Sequence, residues 1–265
     1  MGSSVEIRCL GDFSVSVGGA PILHWRAGKA RSLFQFLLIN RDRLVSADRL
    51  REVLWPAGDH SPQSSSLNVA MHAVRRVLSQ PEDGAERMCV EHHNGYYRLT
   101  VRDASIDVEE LDNCARAAVR THDLTAAHRL HQRVAALYTG EFLAGEHADW
   151  VVEQREWCKS TVLHSLRELR ARALRNNDYP KTIDACRRAL DIDSCAEGAY
   201  QTLMVMHARV GELGRVRSWY DLCTRRLRTQ LDIEPTLLTR RILVGAMRGE
   251  LRAAADADLA AAQVA

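Results

Sequence analysis

No run of apolar residues in this sequence approaches the length of a membrane span, and MGSSVEIRCL at the N-terminus holds no apolar signal segment. Glu6 stands where a myristoylation signal wants Ser or Thr, so that lipid anchor is missing too. The seven cysteines are odd in number and contain no CxxC pair, a pattern that suits reduced thiols better than a disulfide framework. These absences lead to the expectation of a soluble cytoplasmic protein with no membrane partner. Charge of one sign is lacking as well. The 36 Lys and Arg against 34 Asp and Glu leave +2, too little for a strong overall field. Residues 1–102 hold 13 basic against 10 acidic side chains, and the remainder 23 against 24, so any basic surface must be local.

Signatures of catalysis and metal binding are also missing. Gly28-Lys29 is similar to the end of a phosphate-binding loop, but Leu23 takes the place of its first glycine and Ala30 that of its magnesium-binding hydroxyl. Cys89, His92 and His93, or His128 and His131 one helical turn apart, lack a second ligand pair at finger-like spacing. No G-x-S-x-G nucleophile elbow occurs. Asp191 and Asp193 read as helix-end residues rather than a catalytic pair. The expectation is a protein that is not an enzyme and needs no cofactor or metal.

What the 265 residues do contain is two rhythms, on a length that suits two domains. VEIRCL, FSVSV and PILHW within residues 5–25 alternate apolar and polar around Gly-Asp and Gly-Gly, which predicts a small antiparallel sheet. A helix follows over 28–40 (GKARSLFQFLLIN), with Leu33, Phe34, Leu37 and Leu38 inward. Ser46 opens a second helix, SADRLREVLW, and Pro56 with Gly58 stops it. The third is SSSLNVAMHAVRRVL (64–78), followed by MCVEHHNGYYRLTV, a hairpin around His92-His93-Asn94-Gly95.

From about residue 107 the pattern is nearly all helix, with breaks near Asp123, 140–145, 176–178, 193–194, 211–214 and Pro235. NDYPKTIDACRRAL and GELGRVRSWYDLCT align at an offset of 34 residues, placing Thr182 on Val216, Cys186 on Tyr220 and Ala189 on Cys223. Leu166 then falls on Tyr200 and Leu169 on Leu203. A 34-residue helix–turn–helix period is the tetratricopeptide spacing. DLTAAHRLHQRVA is read as a degenerate earlier copy, with Ala127 and Val134 in the matching places. The Arg-rich strings 167–175 and 225–231 read as solvated outer faces, and Trp150 and Trp157 as core. The expected fold is mainly α with a small β component: a small sheet, three helices and a hairpin, then an all-α tetratricopeptide-like domain.

In the third helix Leu67, Met71, Val74 and Leu78 share one face, and Ser64 to Ser66 offer caps. The opposite face carries Asn68, Val69, His72, Ala73, Arg75 and Arg76. With its neighbours, this stretch carries a resemblance. GKARSLFQFLLINRDRLVSADRLREVLW, LNVAMHAVRRVL and NGYYRL resemble an OmpR-type winged-helix DNA-binding domain, assigned to residues 1–102. ALYTGEFLAGEHADWVVEQREW (136–157) and the repeats after it resemble the bacterial transcriptional activation domain, assigned to 107–250 and followed by a flexible tail, 251–265. Together they resemble the short form of the Streptomyces antibiotic regulatory protein family.

The resemblance implies a recognition helix in the DNA major groove and a hairpin wing in the neighbouring minor groove. By position Val69 and Ala73 face base edges, His72 and Arg75 meet phosphates, and Arg76 does either. Many members carry Arg where Ala73 stands, and Arg is common in place of His92 and His93, so readout here is expected to be thin and affinity modest. Specificity then rests on Asn68, Arg76, the wing with Asn94, and DNA shape. Arg31, Arg49 and Arg98 are phosphate-positioning candidates for which a structural role remains open, and Trp55 is assigned to the core.

The implied partners are double-stranded promoter DNA with direct repeats near the −35 region, RNA polymerase holoenzyme, and a second protomer side by side on the DNA. The implied function is activation of a secondary-metabolite (antibiotic) cluster. The alternatives are a ligand- or peptide-binding helical-repeat sensor that gates DNA binding, and an interaction scaffold that has lost it.

Overall fold

Alternation at the N-terminus produces the first sheet of the computed structural model, which describes residues 5–22, 25, 28–56, 64–79 and 87–251. Residues 23–24 of the run PILHW, Gly58, and all but the first residue of the expected tail lie outside these. Strand β1 (Val5–Arg8) buries Val5 and Ile7 and exposes Glu6 and Arg8; β2 (Ser14–Val17) buries Val15 and Val17. The two pair antiparallel, Val5 opposite Val17. Gly18 and Gly19, both left-handed at φ 58° and 83°, turn the chain into β3 (Ala20–Pro21), as a two-residue hairpin loop requires.

The sheet expected to be purely antiparallel is mixed. A strand absent from the sequence reading, β7 (Ala104–Ile106), runs parallel to β1 with Ile7 opposite Ile106, giving the order β3-β2-β1-β7. Three residues with one inward side chain carry too little pattern to announce themselves.

The helices α1 (Gly28–Ile39), α2 (Ala47–Leu54) and α3 (Ser64–Leu78) fall where the periodicity places them. The Ser46 hydroxyl caps α2, accepting the Arg49 N–H at 3.1 Å. Helix α1 buries more than one face: residues 33–38 are all buried, Gln35 included. The reason is a second covering surface. Phe36 meets Trp150 edge-on at 5.3 Å, and the Ser32 hydroxyl donates to the Glu146 carboxylate. Both partners belong to the segment around residues 138–150, which pairs with residues 9–11, just past the end of β1. The Gly11 N–H donates to Glu141 O (3.0 Å), the Leu143 N–H to Cys9 O (2.7 Å), and Leu10 bridges to Phe142. Phe142 and Leu143 are buried beneath it. Packing therefore gathers Met1–Asn113 and Ala136–Cys158 into one unit, and Cys114–Ala135 with Lys159–Ala265 into another.

The second unit is helical and repeats. It takes up α4 (Asp107–Arg120) from residue 114, α5 (Leu124–Leu137) as far as residue 135, and the 27-residue α6 (Asp149–Arg175) from residue 159. Then come α7 (Tyr179–Ile192), α8 (Glu197–Arg209), α9 (Leu213–Leu231) and α10 (Leu237–Met247). The period appears in the coordinates as it does in the letters: α6 and α8 end 34 residues apart, and α7 and α9 begin 34 apart. Thr182 and Val216, Ala189 and Cys223, Leu166 and Tyr200 are buried in matching places, whereas Tyr220 is only half-buried, packed against the cluster of Met204, Ala208, Val216 and Ala246. The Arg-rich string 167–175 is not wholly a solvated face. Arg170 is buried, its guanidinium lies against Gly198, and burial pulls its pKa down.

The same burial acts on histidines of this unit. His131 is buried with Nδ1 3.1 Å from Ser165 Oγ, and burial, then the neighbouring His164, lowers its pKa; His128 is lowered by burial, then by Arg172 and Lys181. A depressed histidine stays neutral in the folded chain while the unfolded chain takes up a proton near 6.5, so this stabilisation is present above that pH and lost as pH falls through it. The melting temperature is expected to drop between pH 7 and pH 5, by less in His131→Gln. Equal drops in both proteins would remove His131 as the cause.

Candidate nucleic-acid interface

Helix α3 is anchored by the stripe expected of it. Leu67, Met71, Val74 and Leu78 are buried, and Ala70 and Val77 widen the seam. Of the other face, Asn68, Val69, His72, Arg75 and Arg76 are exposed and Ala73 is half-buried. Val69 stands out at 63% exposure. An isolated apolar side chain at that exposure is common on protein surfaces. Here it lies beside Asn68, Arg76 and a hairpin, which is the composition of a face that meets another polar surface.

The hairpin is built by β5 (Met88–His93) and β6 (Tyr96–Val101), with β4 (Val45–Ser46) on the other edge of β6. Its loop is shorter than the sequence reading drew it. Only Asn94 and Gly95 turn, both left-handed at φ 48° and 79°, the pairing a type I′ turn requires. His92 and His93 are thus strand residues. His93 pairs across with Tyr96, its Nε2 3.1 Å from Asn94 Nδ2, and His92 stacks on Tyr97 at 4.6 Å. Both histidines and Asn94 are exposed at the tip. Tyr96, 45% exposed beside the turn, is a candidate that the sequence reading passed over. The Asn-Gly-Tyr-Tyr order was its signal, since strand alternation must turn one of two adjacent tyrosines outward.

Arg75 ties the helix to the wing. Its Nε and Nη2 donate to Val90 O on β5 at 3.3 and 3.2 Å. The contact leaves the guanidinium positive and fixes it between α3 and β5, while using two of its five donors. Arg76 is exposed, and its guanidinium makes no hydrogen bond or ion pair among the described residues.

The three outlying arginines are engaged. Arg98 donates through Nε to Glu91, the residue opposite it on β5, at 3.0 Å, and that bond with its charge raises the Arg98 pKa. Arg49 pairs with Glu52 at 3.2 Å on α2. Arg31 lies 5.3 Å over the Phe13 ring. Exposed pairs such as the first two are weak, so a phosphate can displace the carboxylate. Arg31 is half-buried on its ring and has a structural duty. Trp55, at the C-terminal end of α2, is half-buried. α3 and the wing tip, joined through Arg75, thus form one solvent-facing set of polar groups, whereas Arg31, Arg49 and Arg98 are each tied to partners of their own. No helix among the described residues is long and apolar enough to cross a membrane.

Comparison with known proteins places these observations in context. Residues 104–243, more than half of the chain, match the family described as the bacterial transcriptional activator domain. Over 258 residues the chain is 30% identical to the transcriptional regulator RedD of Streptomyces coelicolor, covering 91% of this chain and 69% of that one. Over 154 residues it is 27% identical to the regulatory protein AfsR of the same organism, covering 52% of this chain but 15% of AfsR. In fold it is similar to Mycobacterium tuberculosis EmbR, solved in complex with a low affinity phosphopeptide. The TM-score is 0.70 at 17% identity, over 98% of this chain and 71% of EmbR.

Proposed function

The chain belongs to the Streptomyces antibiotic regulatory protein family of transcriptional regulators, and on that premise we propose that it activates transcription by seating α3 in the major groove of promoter direct repeats. The observation that carries this reading is the polar, solvent-facing side of α3 standing beside an exposed Asn-Gly hairpin, with Arg75 bonded across the junction. Only a helix or a narrow ribbon fits the major groove. Val69 and Ala73 then meet base edges through apolar contact, for instance with thymine methyl groups. Asn68 and Arg76 supply hydrogen bonds to bases, and His72, Arg75 and Arg98 hold phosphates. His92, His93, Asn94 and Tyr96 reach the minor groove.

In this reading residues 1–102 bind DNA, while 107–250 contact a second protomer and RNA polymerase. Two protomers set head to tail match tandem rather than palindromic half-sites. Activation needs no bond chemistry: a protein contact worth about 1.4–3 kcal/mol raises polymerase occupancy roughly ten- to a hundredfold. The target we assign is a secondary-metabolite gene cluster.

Selection of bound duplexes from a random pool, using the full chain at moderate salt, tests the reading. Tandem repeats spaced by about one helical turn are expected, with affinity falling steeply as salt rises because phosphate neutralisation releases counterions. No enrichment from folded protein, or salt-insensitive binding, would sink it.

A further inference from the structure

Helices α5, α6 and α7 border a cleft of about 300 Å³ within the helical unit, at the lower end of the range that small-ligand sites occupy. Its apolar wall comes from Ala135 on α5, Leu166, Leu169 and Ala173 on α6, and Ala185 on α7. Ala135, Leu166 and Ala173 are buried and form the floor, whereas Gln132 and Asn176, both exposed, mark the mouth. The charged side chains of the lining are of both signs and have contacts of their own. Lys181 pairs with Asp178 at 2.7 Å, Arg172 Nη1 donates to Leu124 O at 2.9 Å, and Arg188 donates to Ala135 O. His128 is kept neutral by burial and then by Arg172 and Lys181, so it adds a polar atom to the lining without a charge. No converging set of like charges is left to seat an ion, and what the cleft offers is apolar wall.

The repeat itself shows what fills such a space. At the 34-residue offset Ala185 corresponds to Trp219, Arg188 to Leu222 and Leu166 to Tyr200. When the starts of α5 and α7 are aligned, Ala135 corresponds to Leu190. All four earlier residues line the cleft. Their later counterparts close it: Leu190, Trp219 and Leu222 pack against the cluster of Tyr200, Cys223 and Leu227, and the Tyr200 and Trp219 rings lie 6.2 Å apart. In the earlier repeat Arg188 takes the place of Leu222 and reaches the backbone of α5, so the large group without a counterpart is the indole ring of Trp219. Size agrees with that identity. A cavity of about 150 Å³ takes benzene, so about twice that volume takes a fused two-ring aromatic.

We propose that this cleft binds an uncharged fused two-ring aromatic compound of the indole class, its ring lying where the Trp219 side chain lies in the later repeat, against Leu166, Leu169 and Ala185. The inference goes beyond the DNA-binding reading and stands independently of it. The test uses the full chain and three probes that share one ring system: indole, the cation tryptamine and the anion indole-3-acetate. Calorimetry gives affinity and stoichiometry, and thermal unfolding reads the stabilisation that a ligand of the folded state must bring.

One indole per chain is expected, saturating below about 1 mM as a ligand of so few atoms allows, with a melting temperature that rises with its concentration. Neither charged probe should bind more tightly than indole. Ala185→Trp, which installs the plug of the later repeat, should abolish both the binding and the rise in melting temperature. Ala185→Leu, which fills only part of the space, should weaken indole severalfold, and it decides the matter if Ala185→Trp fails to fold. Absence of saturable indole binding, a preference for either charged probe, or unchanged indole binding in a folded Ala185→Trp or Ala185→Leu overturns the proposal.

Discussion

Val69→Glu is expected to lower affinity for the selected DNA by at least about a hundredfold, close to 3 kcal/mol, while leaving thermal unfolding unchanged. The second half of that expectation follows from position. Val69 is 63% exposed, and the core stripe of α3 runs through Leu67, Met71, Val74 and Leu78, so the substitution removes little buried surface. Glu also has a helix propensity at least as good as that of Val. The first half follows from the groove. A carboxylate at the base edges must give up its hydration between two phosphate strands, and apart from the amino groups of cytosine and adenine the groove floor offers it few donors. Val69→Ala separates the charge from the lost contact, since it removes only two methyl groups and should weaken binding severalfold at most. If Val69→Glu bound as tightly as the parent chain, α3 would not be the element in the groove, and the wing would become the first candidate.

How much of this was legible in the letters depends on the distance over which each feature is determined. The bounds of α1 and α3 follow from local periodicity, and the 34-residue repeat from pairwise alignment, so both could be read before any coordinates. The Arg98–Glu91 pair was also within reach: a two-residue turn at 94–95 sets 93 opposite 96 and therefore 91 opposite 98. Strand β7 was not, because Ile106 earns its place only by lying opposite Ile7 near the other end of the domain. The segment TGEFLAGEH has no period of its own, and what orders it is the backbone of Cys9, Leu10 and Gly11 some 130 residues earlier. Arg170 shows a different limit. Its spacing from Arg167 and Arg172 resembles a charged surface, yet it turns toward Gly198 on α8, a position open to it because no Cβ stands there. The cleft was half legible: Ala185 against Trp219 is visible in the aligned repeats, but that an exchange of sizes leaves a space emerges only once the neighbouring helices are placed.

That same segment yields the second large effect, in a matched pair of substitutions five residues apart. Gly140→Ala is expected to destabilise the unit of Met1–Asn113 and Ala136–Cys158 by on the order of 3–5 kcal/mol. A Cβ at Gly140 would stand 2.9 Å from Gly11 Cα and 3.5 Å from Gly11 N, backbone atoms that cannot turn aside as a side chain does. Gly11 is itself left-handed at φ +88°, with its N–H committed to Glu141 O, so moving it breaks the bond that the approach exists to make. Once the strands part, the Leu143 N–H bond to Cys9 O and the Thr139 hydroxyl bond to Leu10 O go with it, and Phe142 and Leu143 lose their cover. Leu143 adds to the sensitivity. It is held at φ 48°, a conformation that costs an L-residue about 1–2 kcal/mol and is sustained by its burial and its bond. Gly145→Ala is the control. Gly145 is left-handed at φ +84°, but a Cβ there meets nothing within 4 Å, so only the backbone penalty of about 1–2 kcal/mol applies. Urea unfolding followed by tryptophan fluorescence suits the comparison, because Trp25, Trp55, Trp150 and Trp157 belong to this unit and only Trp219 to the other. A clear excess for Gly140→Ala would mean that close backbone approach, rather than glycine's freedom in a turn, is what seats the segment. Equal losses at the two positions would show that the segment yields to a methyl group and that its hold on residues 9–11 is weaker than the contacts imply.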